Sequence, residues 1–301
     1  MTRPNLLICG IAVYDLVFNV EEIPDRATKY KAADAQLTAG GCAANAAVAA
    51  ARLGAHVQLA ARIGEDLIGD LIMQHLADEQ IDCTQLRRIT GARSGFSSIA
   101  IDAAGERQIL NFRGAGLDVE AHWLTHIRNV QAVLADMRWE AGALAAMQLA
   151  RRLEVPGILD AEAPLHIEAM KLASHIAFSQ EGLAALTHTN DPVQGLMQAA
   201  ADFDAWLCVT DGANGVFSIE QGQVQHTAAF AVSAVDTLGA GDVWHGAFCT
   251  ALGTGLAEAD AVVYANAAAA LKCTRHGGGL GAPIESELRQ FLEVQKISIK
   301  L

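Results

Sequence analysis

The stretch Asp236-Thr237-Leu238-Gly239-Ala240-Gly241-Asp242 sets two glycines one residue apart directly before an aspartate. An apolar run of helical character continues from there to about Leu252. A glycine turn that opens a helix leaves backbone N–H groups unpaired at the positive end of the helix dipole. Such a turn is an anion cradle, suited to a phosphate group in transfer. Asp242 stands at its mouth, where a carboxylate can take the proton of a hydroxyl attacking that phosphate. A plainer reading of the same residues is a strand–turn–helix corner in which Asp242 only caps the helix.

The surrounding chain predicts elements able to hold such a corner. Apolar runs at Leu6–Cys9, His56–Ile63, Ala132–Asp136, Gly157–Asp160, His175–Phe178 and Trp206–Thr210 alternate with helical patterns. That alternation predicts a mostly parallel sheet covered on both faces, an α/β fold. A further β run is expected over Phe230–Val235, feeding the cradle. Asp15 lies beyond the carboxyl end of the first strand, where open parallel sheets bind ligands. Gly40-Gly41-Cys42-Ala43-Ala44-Asn45 opens an alanine-rich helix that ends near Gly54, and Asp66 is placed to cap a helix over Leu67–Asp78. Ile81–Ile89, Gly95–Asp102 and Gln108–Phe112 read as strands, and with residues 17–38 they form a small exposed β lid. Val216–Glu220 and Gln223–Thr227 read as a hairpin, and Ala257–Cys273 as a second alanine-rich helix.

Composition narrows the class. The 301 residues are 52% hydrophobic and 18% charged, as in a well-buried globular enzyme. A net charge of −13 argues against nucleic acid or an anionic membrane as partner. Six scattered cysteines without a C-x-x-C pair, and no apolar run of membrane-spanning length, predict a reduced, soluble, cytoplasmic protein. The chain has no G-x-x-x-x-G-K-[ST], and no G-x-G-x-x-G follows its first strand. His276-Gly277-Gly278-Gly279 mimics an esterase oxyanion loop without the G-x-S-x-G elbow that should accompany it. His122 and His126, four residues apart near Glu120, read as a solvated helix face rather than a metal site.

The D-T-x-G-A-G-D string, with Asp15, Gly40-Gly41, the turn Thr210-Asp211-Gly212-Ala213-Asn214-Gly215 and Asn266, resembles the ribokinase-type (PfkB) sugar kinases over nearly the whole chain. The resemblance implies a ribokinase-like three-layer αβα sandwich, one domain over residues 1–301 with a β lid from about 15–38 and 93–115. It implies transfer of the γ-phosphate of ATP to a sugar hydroxyl, with Mg²⁺ bridging the phosphates. By the same resemblance Asp242 is the general base, and the N–H groups of Gly239, Ala240 and Gly241 stabilise the phosphoryl group in flight. Asp15, Gly40, Gly41 and Asn45 hold the sugar, while Thr210, Gly212, Gly215, Thr237 and Asn266 serve the nucleotide. An exposed β lid also suggests a homodimer that covers its edges.

One departure concerns the metal. Where many relatives carry N-x-x-E, this chain has Ser179-Gln180-Glu181-Gly182, leaving Glu181 to act on the metal through water. That altered string, with Leu134 to Trp139 and Ala270 to Arg275, resembles the bacterial 6-deoxy-6-sulfofructose kinase branch. The likeness implies phosphorylation at the C1 hydroxyl and a sulfonate clamp formed by Lys29, Asn111 and Arg138. A fixed anionic group calls for such cations, and a guanidinium offers a forked pair of donors. Arg113 adds a cation that also fits a phosphate- or carboxylate-bearing sugar. Neutral sugars, sugar acids and a non-catalytic sugar- or nucleotide-binding sensor stay open as alternatives.

Overall fold

The computed structural model describes residues 3–299. The chain opens with strand β1 (Asn5–Cys9), then crosses into β2 (Val13–Asn19) and β3 (Asp34–Gly40). Helix α1 (Cys42–Arg52), β4 (His56–Ala60), β5 (Arg62–Gly64), α2 (Leu67–Asp78), β6 (Arg87–Ile89), β7 (Gly95–Ile101) and β8 (Arg107–Phe112) follow. The middle of the chain supplies β9 (Ala132–Asp136), α3 (Glu140–Leu153), β10 (Gly157–Ala161), α4 (Ile167–Met170) and β11 (His175–Ser179). Then come α5 (Gln180–Thr187), α6 (Pro192–Ala199), β12 (Trp206–Thr210), β13 (Val216–Glu220) and β14 (Gln223–Thr227). Helices α7 (Ala240–Gly253), α8 (Glu258–Cys273) and α9 (Glu285–Val294) close it.

The main sheet has eight strands in the order β14-β13-β12-β11-β10-β9-β1-β4. From β4 to β12 neighbours run parallel, and β13 and β14 add an antiparallel edge. Both faces are covered, and a separate apolar core lies on each. Leu6 and Ile8 point into the core with α1, α7 and α8; Leu7 and Cys9 point into the one with α3. This alternation along one strand makes the run uniformly apolar, because both faces are buried. Tight packing of α7 on α1 depends on small residues: a Cβ at Gly246 would stand 2.3 Å from the Ala46 carbonyl oxygen.

A second sheet, β3-β2-β7-β8, sits beyond the carboxyl end of β1. Its registers align Asp15 with Thr38 and Ser97, and Ser97 with Asn111. The adjacent row, facing the other way, aligns Leu16 with Leu37 and Ser98, and Ser98 with Leu110. At these positions one face of the sheet is polar and the other carries exposed leucines, with Leu37 at 63% and Leu110 at 78%.

Three expectations from the sequence change. Phe230–Val235 forms no strand: Val235 and Asp236 donate their N–H groups to the Cys273 carbonyl at the end of α8, so no neighbouring strand claims them. Of Ile81–Ile89 only Arg87–Ile89 forms a strand, paired with β5; Asp82 makes a single parallel bridge to Gln58 of β4, and its carboxylate then accepts the Thr84 N–H in a turn. His56–Ile63 divides at Ala61 into β4, in the main sheet, and β5, outside it. The Asp66 cap forms as expected, accepting the Gly69 N–H at 2.8 Å.

Candidate active site

Two cavities meet at the N-terminus of α7. The smaller, of about 210 Å³, is lined by Asp15, Thr38, Gly41, Cys42, Asn45, Ser97, Asn111, Arg113, Arg138, Gly239, Asp242 and Gly278. The larger, of about 630 Å³, runs along Thr210, Gly212, Gly215, Val216, Phe230, Val232, Thr237, Ala240, Gly241, Trp244, Asn266 and Ala270. The residues Gly239 to Asp242 form the wall between them.

That wall has the form of an anion cradle. Gly239 is the N-cap of α7 in the left-handed region (φ 73°), a conformation that costs glycine little. The Ala240 N–H turns back to the Thr237 carbonyl at 3.2 Å, so of the three amides expected to hold phosphate this one already has a partner. Among the described residues the N–H groups of Gly239 and Gly241 have no acceptor. No heavy atom lies within 4 Å of the Cβ position at Gly241, so the approach there is open.

Asp242, in the first turn of α7, faces the smaller cavity. Asn45 Nδ2 donates to Asp242 Oδ2 at 2.7 Å, and Asn45 Oδ1 accepts the Gly279 N–H at 3.3 Å. Asn45 thus joins α1 to the carboxylate and to the glycine loop. Burial pushes the Asp242 carboxyl up to about 7, with the nearby Asp160 carboxyl adding to the rise and the Asn45 bond opposing it. A base that titrates near neutrality is well matched to accepting a hydroxyl proton.

Asp160 ends β10 beneath Asp242 and had no role in the sequence reading. Burial, then Asp136 and Glu162, push it up to about 8. His245 Nδ1 lies 2.8 Å from the Gly241 carbonyl, an acceptor, which places the hydrogen on Nδ1. Its Nε2 stands 3.6 Å from Asp160 Oδ1, and burial lowers the imidazole's pKa. At that distance His245 Nε2 makes no hydrogen bond to Asp160 and is left buried without a partner among the described residues. The sequence did carry one sign of Asp160: its place at the carboxyl end of a core parallel strand.

Around the smaller cavity Gly40 and Gly41 serve by lacking side chains. A Cβ at Gly40 would fall 2.0 Å from Asp15 Oδ2, and one at Gly41 (φ 97°) 2.7 Å from the Ile11 carbonyl. Ser97 stands beside Asp15 in the β2–β7 register, and Asn111 Nδ2 donates to the Ser97 hydroxyl at 3.3 Å. Asp136 accepts the N–H groups of Ile11, Ala43 and Arg138 at 2.8, 3.0 and 2.8 Å, tying the ends of β1, α1 and β9. The Arg138 guanidinium pairs with Glu162 and donates to the Ala163 carbonyl. Arg113 has no ion-pair partner among the described residues. Lys29 is brought to neither cavity; it is exposed in the irregular segment between β2 and β3.

In the larger cavity Gly215 (φ 99°) lets the turn after β12 pass β14, where a Cβ would meet the Thr227 carbonyl at 2.2 Å. Asn266 lines the wall, yet its amide is spent on protein. It accepts the Trp244 indole N–H at 2.8 Å and donates to the Ala228 carbonyl at 3.2 Å. It braces the wall rather than offering a free amide to the base. The Thr237 hydroxyl accepts from Arg107, at the start of β8, at 2.6 Å, linking the second sheet to the cradle.

Glu181 lies exposed in the first turn of α5, on neither cavity's lining, next to Gln180, which donates to Asp211 beside Thr210. Ser179 caps α5 by accepting the Gly182 N–H at 2.9 Å, and Gly182 leaves room for the Ala161 carbonyl. Oxygen atoms of Asp160 and Asp242 and the Cys42 sulfur come within 4.8 Å of one another. A thiol in that set is ill suited to Mg²⁺, a hard cation that prefers oxygen and keeps much of its water.

The profile of the pfkB family carbohydrate kinases matches residues 3–285. The ribokinase of Haemophilus influenzae is 30% identical over 307 residues, covering 97% of this chain and 99% of its own. The fructokinase of Vibrio alginolyticus is 28% identical over 281 residues, covering 84% and 91%. Among solved structures, a provisionally named ribokinase from Agrobacterium tumefaciens is 32% identical and superimposes with a TM-score of 0.90, covering 98% of this chain and 100% of its own. The Arabidopsis thaliana ribokinase complexed with ribose and ATP shares the fold at 24% identity and a TM-score of 0.87, covering 97% and 99%.

Proposed function

This chain belongs to the pfkB family of carbohydrate kinases, ATP-dependent phosphotransferases of ribokinase-like fold, and we propose that its acceptor is an anionic sugar. The acceptor best fitting the residues is 6-deoxy-6-sulfofructose, phosphorylated at its C1 hydroxyl. One observation carries this reading: two guanidinium groups, Arg113 and Arg138, and the Asn111 amide line a cleft of only about 210 Å³ beside the base. Arg113 has its charge free, and forked donors suit a sulfonate, phosphate or carboxylate. Lys29 completes the clamp only if the segment between β2 and β3 folds inward, so Arg113 takes the larger share here.

The chemistry follows from the placement of the groups. Asp15 and Asn111, on the polar face of the second sheet, orient the sugar hydroxyls. Asp242 takes the acceptor proton as the oxygen attacks the γ-phosphate of ATP, whose polyphosphate lies along Thr210, Gly212 and Gly215. The free N–H groups of Gly239 and Gly241 stabilise the charge on the transferring group. Mg²⁺, the family's metal cofactor, would supply neutralising charge to the phosphates, and Glu181, exposed in the first turn of α5, is the residue that would reach its water shell. The second sheet acts as a lid on the cleft, and its outer row, with Leu37 and Leu110 exposed and Leu16 half-buried between them, suits a homodimer across that face.

The test is ADP release from MgATP across sulfofructose, fructose, fructose 6-phosphate, ribose, 2-keto-3-deoxygluconate and adenosine. Preference for sulfofructose, reduced about 10- to 100-fold by Arg113→Gln or Arg138→Ala while any neutral-sugar turnover holds, supports the clamp. Preference for a neutral sugar sinks it and leaves only the carbohydrate kinase. Asp242→Asn is expected to lower kcat on whichever sugar is used by about 10²- to 10⁴-fold, with MgATP binding retained.

A further inference from the structure

Lys272, in the last turn of α8, is 0% exposed, and it lines neither cavity. Its Nζ donates to the Asp236 carbonyl at 2.8 Å and stands 3.1 Å from Asp236 Oδ2. A buried charge is retained only with close partners, and here both partner oxygens belong to one residue of the turn leading into the cradle. The Asp236 carboxylate in turn accepts the Leu238 N–H at 2.8 Å and the Gly277 N–H at 3.1 Å. Leu238 is followed at once by Gly239, whose free amide opens the cradle. The loop after α8 closes over the lysine stem, for a Cβ at Gly281 would meet Lys272 Cε at 3.1 Å. Three segments, the 235–239 turn, the end of α8 and the 274–281 loop, thus converge on one ammonium–carboxylate pair.

We propose that Lys272 is a positioning residue for phosphoryl transfer: its ammonium is a built-in monovalent cation behind the cradle, holding Asp236 and through it the amides of Gly239 and Gly241. The role rests on reading those amides as the phosphate cradle. An ammonium bound by a carboxylate and a carbonyl does what a small univalent ion would do between the same oxygens, but its tether keeps it in place without binding from solution. Burial lowers the lysine's pKa while Asp236 raises it, and hydrogen bonding lowers that of Asp236, so the pair holds its charges by mutual contact. Donors fixed before the reaction stabilise the transition state more than the ground state, so their loss falls mainly on kcat.

Three measurements decide it. Wild-type kcat in sodium, potassium, ammonium and tetramethylammonium chloride at equal ionic strength is expected to vary less than about twofold, the cation being internal; a tenfold dependence overturns the proposal. Lys272→Met, which keeps the stem and removes the charge, is expected to lower kcat about 10- to 100-fold with either KM shifted less than about threefold. An unchanged kcat overturns it. Lys272→Ala vacates a cation-sized site, so ammonium or methylammonium should restore at least about fivefold in kcat and raise Tm by about 2 °C or more, with tetramethylammonium doing neither. Absence of both effects overturns the proposal. The Tm arm needs no turnover: if the wild type phosphorylates no sugar tested, the functional reading fails while ion-dependent stabilisation of Lys272→Ala still decides this one. Should Lys272→Ala fail to fold, the wild-type ion series and Lys272→Met decide.

Discussion

Asn45 Nδ2 and Asp242 Oδ2 lie 2.7 Å apart although 197 residues separate them in the chain. The bond fixes one carboxylate oxygen of a residue that lines the smaller cavity, and in the proposed mechanism the other oxygen meets the acceptor hydroxyl. It also makes α1, expected from the sequence to read the sugar, a support for the base.

Asn45→Ala is expected to lower kcat about 10- to 100-fold, the cost of losing a hydrogen bond to a buried charged group. Removing that donor also raises the Asp242 pKa further, so the loss should be largest at low pH and partly recovered at high pH. Steady-state rates between pH 6 and 9 measure it; a loss equal at every pH argues that Asn45 acts on the sugar alone.

Burial pushes the Asp160 carboxyl up to about 8 and the Asp242 carboxyl up to about 7, the latter helped by Asp160 beside it. Because the base must be ionised, kcat/KM should climb through about pH 7, and Asp160→Asn should move that acid limb to lower pH by removing the second carboxyl. Stability runs the other way. Both folded-state pKa values lie above the unfolded ones, so between about pH 4 and 8 the folded chain holds more protons and loses stability as pH rises. Melting temperatures at pH 6 and 8 should show a smaller drop in Asp160→Asn than in the wild type.

Gly246→Ala tests which force dominates where α7 crosses α1. Helix propensity alone favours alanine by about 1 kcal/mol. The added methyl would stand 2.3 Å from the Ala46 carbonyl oxygen, which belongs to the backbone of a packed helix. Overpacking of that kind costs about 1–3 kcal/mol, so the substitution is expected to destabilise, read as a lower urea midpoint. A higher midpoint would show that α1 can move aside.

Much of this molecule was written in short range. Uniformly apolar runs marked the core strands Ala132–Asp136 and Trp206–Thr210 at their observed ends, because a strand buried on both faces has no polar positions to blur it. Asp66 and Gly54 marked helix ends through local backbone needs, and the glycine spacing before Asp242 marked the cradle for the same reason. The β-type composition of Phe230–Val235 misled, since a strand needs a partner and the nearest acceptor was the end of α8. What no local pattern held was the meeting of distant charges. Asp160 is pushed up by burial and then by Asp136 and Glu162; Arg138 finds Glu162; Lys272 finds Asp236. Asn266 turns from ligand to brace because Trp244 and Ala228 reach it first. Desolvation and charge coupling depend on distances in space, which the order of the chain leaves open until the sheet and its helices have closed.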